Sequence, residues 1–290
     1  MAAAQALRGF VDLTKPRILL LVIFTGLPAM LMADAWPSAP FAAATLAGIA
    51  LAAGAANALN CYIERDLDAL MERTRERPLP AARLSPAAAL GFGLALAAIS
   101  TALLWVVAGP VAAALGVASI LFYVFVYTVW LKPRSPWNAV VGGAAGAAAP
   151  LIADAAVHGQ IGAAGWLLFA IIFLWQPPHV WAIALFRKQD YARAGIPMLP
   201  NVIGDEPTRW RMLWYTLALV PVTLAPAALG LLGWVYLAAA VALDAWFVWH
   251  AIRVLLERTD AAARRMFGVS LVYLFALFLA MLVDRATSLL

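Results

Sequence analysis

Nine apolar runs, each close to the ~20 residues a helix needs to cross a bilayer, occupy most of the chain. They fall at 18–35, 41–63, 87–107, 111–131, 138–157, 163–185, 212–231, 233–252 and 267–284. Inside hydrocarbon every backbone N–H and C=O must be satisfied within its own segment or a closed barrel. Continuous runs of this length, without strand alternation, meet that demand as helices. Only 12% of the residues are charged and mean hydropathy is +0.89, against roughly a quarter charged in soluble domains. The expected fold is therefore all-α: a polytopic membrane protein of nine transmembrane helices, forming one domain over 1–290. The fifth run, NAVVGGAAGAAAPLIADAAV, is rich in glycine and alanine. Such residues let helices approach closely, so it is expected at the centre of the bundle.

The basic residues say which way the bundle faces. The arm 1–17 and the connections 64–86, 132–137, 186–211 and 253–266 hold 19 of the 20 Lys and Arg, and only Arg285 lies on the other side. Positive loops stay cytoplasmic. The N-terminus is expected in the cytoplasm, the C-terminus on the opposite side, and the long loops 64–86 and 186–211 at the cytoplasmic face of an inner membrane. The net charge of +5 is a topology signal, with no nucleic-acid partner implied. The opening MAAAQALRGFVDLTKPR is polar and basic, unlike a cleavable signal. Cys61 is the one cysteine, which excludes an intrachain disulfide.

The stretch Asn57–Pro80, NALNCYIERDLDALMERTRERPLP, is the long polar interruption of the first half, with nine charged residues of both signs. At 100° per residue, Asn57, Glu64 and Asp68 fall within about 80° of Asn60 on a helical wheel. Two amides and two carboxylates share one face, Asp66 points away, and Pro78 and Pro80 are expected to stop the helix. Clustered carboxylates need a counter-charge, and Mg²⁺ is the hard cation that takes one or two carboxylates plus waters and phosphate oxygens. Arg73, Arg75 and Arg77 follow, with guanidinium forks suited to phosphate. The alternative is a solvated loop laced with ion pairs. That alternative gives Asn57 and Asn60 no task inside an apolar run.

A second polar stretch, FRKQDYARAGIPMLPNVIGDEPTRWR at 186–211, follows WQPPHVWAIAL and supplies Arg187, Lys188, Asp190 and Arg193. Both long loops begin with acid and base at the end of a span and reach a Leu-Pro pair, Leu79-Pro80 and Leu199-Pro200, which hints at a duplicated helix–loop unit. Asp190 reads either as a second metal ligand or as the partner of Lys188 or Arg193. His179 lies inside a span, where an ionisable group calls for a functional hypothesis beside simple packing. Haem ligation and proton carriage are both open. Asp244 sits in the eighth run without an evident partner. The loop LKPRSPWN adds Lys132, Arg134 and Asn138 to the cytoplasmic face, below Tyr123 and Tyr127 on one helical face.

Asn60, Glu64 and Asp68, TKPR at Thr14–Arg17, YTVWLKPRSPWN and WQPPHVWAIALFRKQDYARAGIPMLP together resemble the UbiA-type intramembrane prenyltransferases, most closely the haem-farnesylating branch. Glu64 stands where the family more often has Asp, and Asp190 stands alone where most members have an aspartate pair. The resemblance implies a central cavity open to the cytoplasmic side. It also implies transfer of the farnesyl group of farnesyl diphosphate to a vinyl group of haem b, with water added and diphosphate released. In that reading Asn60, Glu64, Asp68, Lys132 and Asp190 are catalytic, and Mg²⁺ is the cofactor, held by Glu64, Asp68 and Asp190. Arg73, Arg77, Arg134, Arg187 and Lys188 bind diphosphate and His179 binds haem. A downstream haem A synthase is an implied partner. The alternatives are prenylation of a quinone precursor and, more remotely, a transporter. Mg²⁺-dependent binding of farnesyl diphosphate separates either enzyme from the transporter.

Overall fold

The structure is a computed structural model that describes residues 2–32 and 36–288. Its described residues are helices joined by short turns. They are α1 (Ala2–Thr14), α2 (Pro16–Leu31), α3 (Ala39–Ile63), α4 (Arg65–Leu70), α5 (Pro86–Leu121), a π-helix (Phe122–Leu131), α6 (Asn138–Gly146) and α7 (Ala148–His158). Then come α8 (Ala163–Phe186), α9 (Lys188–Arg193), α10 (Leu199–Ile203), α11 (Asp205–Ala228), α12 (Trp234–Glu257) and α13 (Asp260–Thr287). The nine apolar runs are mainly helical among the described residues: the first is helical as far as Leu31, with positions 33–35 outside them, the fifth breaks at Ala147 between α6 and α7, and the helix of the seventh ends at Ala228. Six helices are long and apolar enough to cross a membrane. One of these, Pro86–Leu131, is 46 residues long and contains two of the runs. The chain is a multi-pass membrane protein, and large apolar side chains such as Val106 (82% exposed) and Trp234 (79%) face outward.

The expected connection at 108–110 is a kink. Gly109 takes φ 86° inside α5, a region open to glycine, and Pro110 follows it. The long polar loops are more helical than expected. The polar residues 205–211 and 260–265 form the first turns of α11 and α13. Asp205, Glu206 and Asp260 sit at these N-termini, where negative charge meets the positive end of the helix dipole. Thr259 Oγ1 caps α13 by accepting from Ala262 N at 3.2 Å. The N-terminal arm is also helical: Phe10 packs on Phe92 with ring centroids 4.9 Å apart.

Small residues set the packing. A Cβ on Gly48 would sit 2.7 Å from Leu104, and one on Gly93 2.8 Å from Leu59. The close approach of α3 and α5 thus depends on both glycines, and Ser100 Oγ donates across it to Gly48 O at 2.8 Å. Asn138–His158 is the most buried of the six candidate spans, in line with its expected central place. Gly142, Gly143 and Gly146 make room there for Tyr127 and Gln176, whose side chains a Cβ would meet.

Three buried aspartates do structural work. Asp154 accepts from Gly162 N at the start of α8 at 2.5 Å. Asp284 accepts from Gly233 N (2.6 Å) and Tyr236 N (3.0 Å) at the start of α12. Both satisfy N–H groups that a helix terminus leaves bare. Asp244 does have partners: Thr223 Oγ1 and Tyr273 Oη each donate to it at 2.7 Å, tying α11, α12 and α13 together.

Candidate active site

The polar face of Asn57–Pro80 is built at a helix break. α3 ends at Ile63, Glu64 takes φ −88° and ψ 6°, and α4 carries on to Leu70. The backbone bonds Glu64 N→Asn60 O (2.9 Å) and Asp68 N→Glu64 O (2.7 Å) span the break, so the four-residue spacing still stacks the three side chains. Asn57, Asn60, Glu64 and Asp68 are all buried, whereas Asp66 is 87% exposed in its side chain. The helix does not run to Pro78. Met71 turns extended at φ −102° and ψ 131°, and the segment that follows is a series of turns. Thr74 Oγ1 donates to Asp68 O at 2.8 Å and braces the first of them.

Two cations of the protein itself pair with the carboxylates of this face. Lys132 Nζ donates to Glu64 Oε2 at 2.6 Å. Arg77 Nη1 straddles both oxygens of Asp68 at 2.9 and 2.7 Å. Burial works against both cationic charges, but Tyr127 and Glu64 outweigh it at Lys132 and Asp68 does so at Arg77, so both pKa values rise. Because a single Arg77 nitrogen holds Asp68, the rest of the fork is available to a ligand.

Lys132 reaches this cluster because Phe122–Leu131 is a π-helix. Nine residues apart, Tyr123 and Lys132 would lie on opposite sides of an α-helix. Bonding at i→i+5 brings them to one face. Thr128 Oγ1 donates to Tyr123 O at 2.8 Å and accepts from Asn60 Nδ2 at 3.0 Å. Lys132 N donates to Tyr127 O at 2.8 Å. The other side of Asn60 faces the N-terminal arm: Lys15 Nζ donates to Asn60 Oδ1 at 2.9 Å, and Asn57 Nδ2 donates to Thr14 O at 3.0 Å.

The second stretch repeats the plan. α8 ends at Phe186, Arg187 takes φ −112° and ψ 19°, and the six-residue α9 follows. Asp190 is buried and pairs with Arg193 Nη2, with Arg187 Nη1 at 3.7 Å. Lys188 turns instead to Asp205 at 2.8 Å. Met71 packs with Tyr191, Ala194 and Met198, so the two stretches meet, and Tyr191 acts electrostatically on Lys132. A polar cavity of about 350 Å³ opens among Glu72, Arg187, Lys188, Asp190, Arg193 and Asp205. An apolar groove of about 840 Å³ begins at Leu59, Tyr62 and Ile63, beside the acidic face, and runs along α5 past Leu94 and Trp105 to Phe125.

A search of family models matches residues 19–282 to the UbiA prenyltransferase family. The chain is 48% identical over 282 residues to the protoheme IX farnesyltransferase of Acidiphilium cryptum, covering 94% of this chain and 89% of that one. The chain belongs to the UbiA prenyltransferase family. Its fold superposes on a digeranylgeranylglyceryl phosphate synthase with a TM-score of 0.80 at 16% identity, over 97% of this chain and 99% of the other. It also superposes on a UbiA homologue from Archaeoglobus fulgidus bound to GPP and Mg²⁺, with a TM-score of 0.66 at 14% identity, over 94% and 99%.

Three buried carboxylate oxygens among the described residues lack a hydrogen-bond partner: Glu64 Oε1 in the first stretch, Asp190 Oδ2 in the second, and Asp154 Oδ1, which lies outside both. Hard anionic oxygens of this kind suit a divalent cation completed by water and phosphate. No three His, Cys, Asp or Glu side chains converge on one point among the described residues. Of the expected cations, Arg73 is exposed. Arg134 donates to Val129 O (2.7 Å) and Trp130 O (3.2 Å), capping the π-helix away from the acids. His179 is half-buried, stacked on Trp175 at 4.5 Å, and its Nδ1 meets Ser270 Oγ at 2.7 Å.

Lys15 and Thr128 were not among the site residues expected from the sequence. Lys15 carried a signal in its TKPR motif, read there as topology and family likeness. Thr128 had none, because its position depends on the π-helix.

Proposed function

We propose that this UbiA-family protein transfers the farnesyl group of farnesyl diphosphate to a vinyl group of haem b, yielding the hydroxyethylfarnesyl haem and diphosphate. The observation that carries the reading is the buried cluster Asn60–Glu64–Asp68 with Lys132 and Arg77 on it. Its haem specificity rests on the likeness to relatives named for protoheme IX. The nine helical runs span an inner membrane, with the N-terminus cytoplasmic and the C-terminus opposite, and the cavity of the site opens to the cytoplasmic side.

The allylic C–O bond breaks and the diphosphate leaves with both bonding electrons. The farnesyl C1 then bonds to the terminal vinyl carbon. Water adds to the inner vinyl carbon and loses a proton, which balances the overall change of haem, farnesyl diphosphate and water into product, diphosphate and a proton. Bound Mg²⁺ would supply charge stabilisation of the departing diphosphate; Glu64 and Asp68 on the first stretch and Asp190 on the second are the carboxylates that would hold it, with water and phosphate oxygens completing the coordination. Arg77 and Lys132 are already oriented at the same place by their acids, and preorganised donors of this kind need no rearrangement at the moment of reaction. Arg73, Arg187 and Lys188 line the approach. The apolar groove beside Leu59 and Ile63 suits a farnesyl chain, and the Tyr127 ring is placed to face an allylic cation.

His179 fits a role toward haem iron. Ser270 Oγ donates to Phe267 O at 2.7 Å, so it accepts from His179 Nδ1–H, which leaves the lone pair on Nε2. Fixing the tautomer through the second nitrogen is how ligating histidines are oriented. The product could be passed on to a haem A synthase.

The test is a product assay. Purified protein in detergent receives haem b, farnesyl diphosphate and Mg²⁺, and the haem pool is read by mass spectrometry. A haem heavier by one farnesyl and one water is expected. Unchanged haem alongside a prenylated 4-hydroxybenzoate-type acceptor would replace this reading with the quinone-precursor one. Normal haem binding by the His179→Ala variant would remove only the ligand role.

A further inference from the structure

The cations of the cluster are not equivalent. Lys132 is paired with Glu64 and Arg77 with Asp68. Lys15 points into the same cluster, and Glu64, Arg77 and Lys132 all act on its charge. Its one side-chain hydrogen bond among the described residues goes to a neutral amide oxygen, Asn60 Oδ1. An ammonium has three N–H donors, so two remain for a ligand. A partly buried cation without an acid partner is costly unless an anion joins it.

The backbone is bent to put it there. Lys15 takes φ 56° and ψ 65° immediately before Pro16, although a residue preceding proline favours extended backbone. It is one of three non-glycine residues with positive φ among the described residues. Specific bonds hold the conformation: Lys15 N donates to Asp12 O at 3.2 Å, Ile18 N donates to Lys15 O at 2.8 Å, and Asn57 Nδ2 fixes Thr14 O. Left-handed geometry at a non-glycine residue persists where its surroundings over-determine it, commonly at working sites. Here it turns α1 out of the way and directs the Lys15 side chain inward rather than toward lipid headgroups.

We propose that Lys15 is a diphosphate-binding residue of the active site. Asn60 holds its ammonium in the free protein, and an arriving diphosphate oxygen takes one of the open N–H groups. It becomes the third protein cation on the leaving group, beside Lys132 and Arg77. This rests on the diphosphate reading of the cluster. It adds the N-terminal arm, otherwise a topology signal, to the catalytic machinery.

The experiment is calorimetric titration of the full-length protein in detergent with inorganic pyrophosphate and Mg²⁺, for the wild type, Lys15→Ala and Lys15→Arg. Lys15→Ala is expected to bind pyrophosphate at least tenfold more weakly with an unchanged Tm, and Lys15→Arg to stay within about threefold of wild type. A purely structural role would lower the Tm of Lys15→Ala and leave the affinity of the folded protein intact; that result overturns the proposal. No binding by the wild type would instead sink the diphosphate reading itself. Should Lys15→Ala fail to fold, the wild type answers alone: saturating pyrophosphate is expected to slow acylation of Lys15 by an amine reagent, read by peptide mass spectrometry. An unchanged rate overturns the proposal.

Discussion

Asn57–Arg77 and 186–193 are two versions of one device. Each has a span that ends in a single non-helical residue, Glu64 or Arg187, and then a six-residue helix carrying a buried aspartate. They differ in where the counter-charge comes from. Glu64 takes its partner from 68 residues away, and Asp68 from a turn nine residues on. Asp190 takes Arg193 and Arg187 from its own helix turn. The residue at the break is itself an acid in the first region and a base in the second. A long-range pair exists only when the whole bundle is assembled, so the first region is set by the fold and held rigid. A local i,i+3 pair forms wherever the short helix forms, and it is half open to water on the arginine side. On the proposed function, this difference puts most of the bond-breaking in the first region and most of the substrate capture in the second.

The sharpest way to break that division is to remove one acid from each. Asp68→Asn is expected to lower kcat by about 10²–10³-fold, while Asp190→Asn lowers it about tenfold and acts more on the KM for farnesyl diphosphate. Equal losses in steady-state assays would erase the distinction. Lys132→Ala comes next. It leaves Glu64 buried and unpaired, and breaking a buried pair costs about 3–5 kcal/mol, so a clear drop in Tm should accompany loss of turnover. Lys132→Ala with Glu64→Gln should recover the Tm but not the turnover.

A smaller effect concerns pH. Burial lowers Lys15 to about 8, against the pull of Cys61 and Glu64 and with the push of Arg77 and Lys132. In the free protein its charge is present below that pH and is lost as pH rises through it. Pyrophosphate affinity should therefore fall above pH 8 in the wild type and stay level in Lys15→Arg. The unfolded chain keeps this proton up to the ordinary lysine range, so folding stability rises with pH across that interval. The smallest effect is at Lys188, whose exposed pair with Asp205 is worth about 0.5 kcal/mol or less. Lys188→Ala should leave Tm within error and weaken farnesyl diphosphate binding only through the lost surface charge.

The bundle was legible because hydropathy states it directly, and the acidic face because its four-residue spacing survives the break at Glu64. What spacing cannot show is who sits opposite. Lys132 was visible as a basic loop residue, but its bond to Glu64 depends on a π-helix, and nothing in FYVFVYTVWL distinguishes that from an α-helix. Arg77 looked like one of three arginines following a continuous helix. The turn at Met71 is what folds it back onto Asp68. Arg134 carries the same charge as Lys132 two residues earlier, yet it is spent on helix carbonyls. Asp244 looked unpartnered because Thr223 and Tyr273 belong to neighbouring helices. In each case the local pattern named the residue and tertiary packing decided its use.

The central claim is that Asn60, Glu64 and Asp68, with Lys132 and Arg77, form the diphosphate site. The most direct measurement is calorimetric binding of farnesyl diphosphate, with and without Mg²⁺, to the wild type and to Glu64→Gln and Asp68→Asn. Binding that requires Mg²⁺ in the wild type and is lost in both variants, with folding intact, is the predicted result. Mg²⁺-dependent binding of equal strength in all three proteins would place the diphosphate elsewhere and contradict the account.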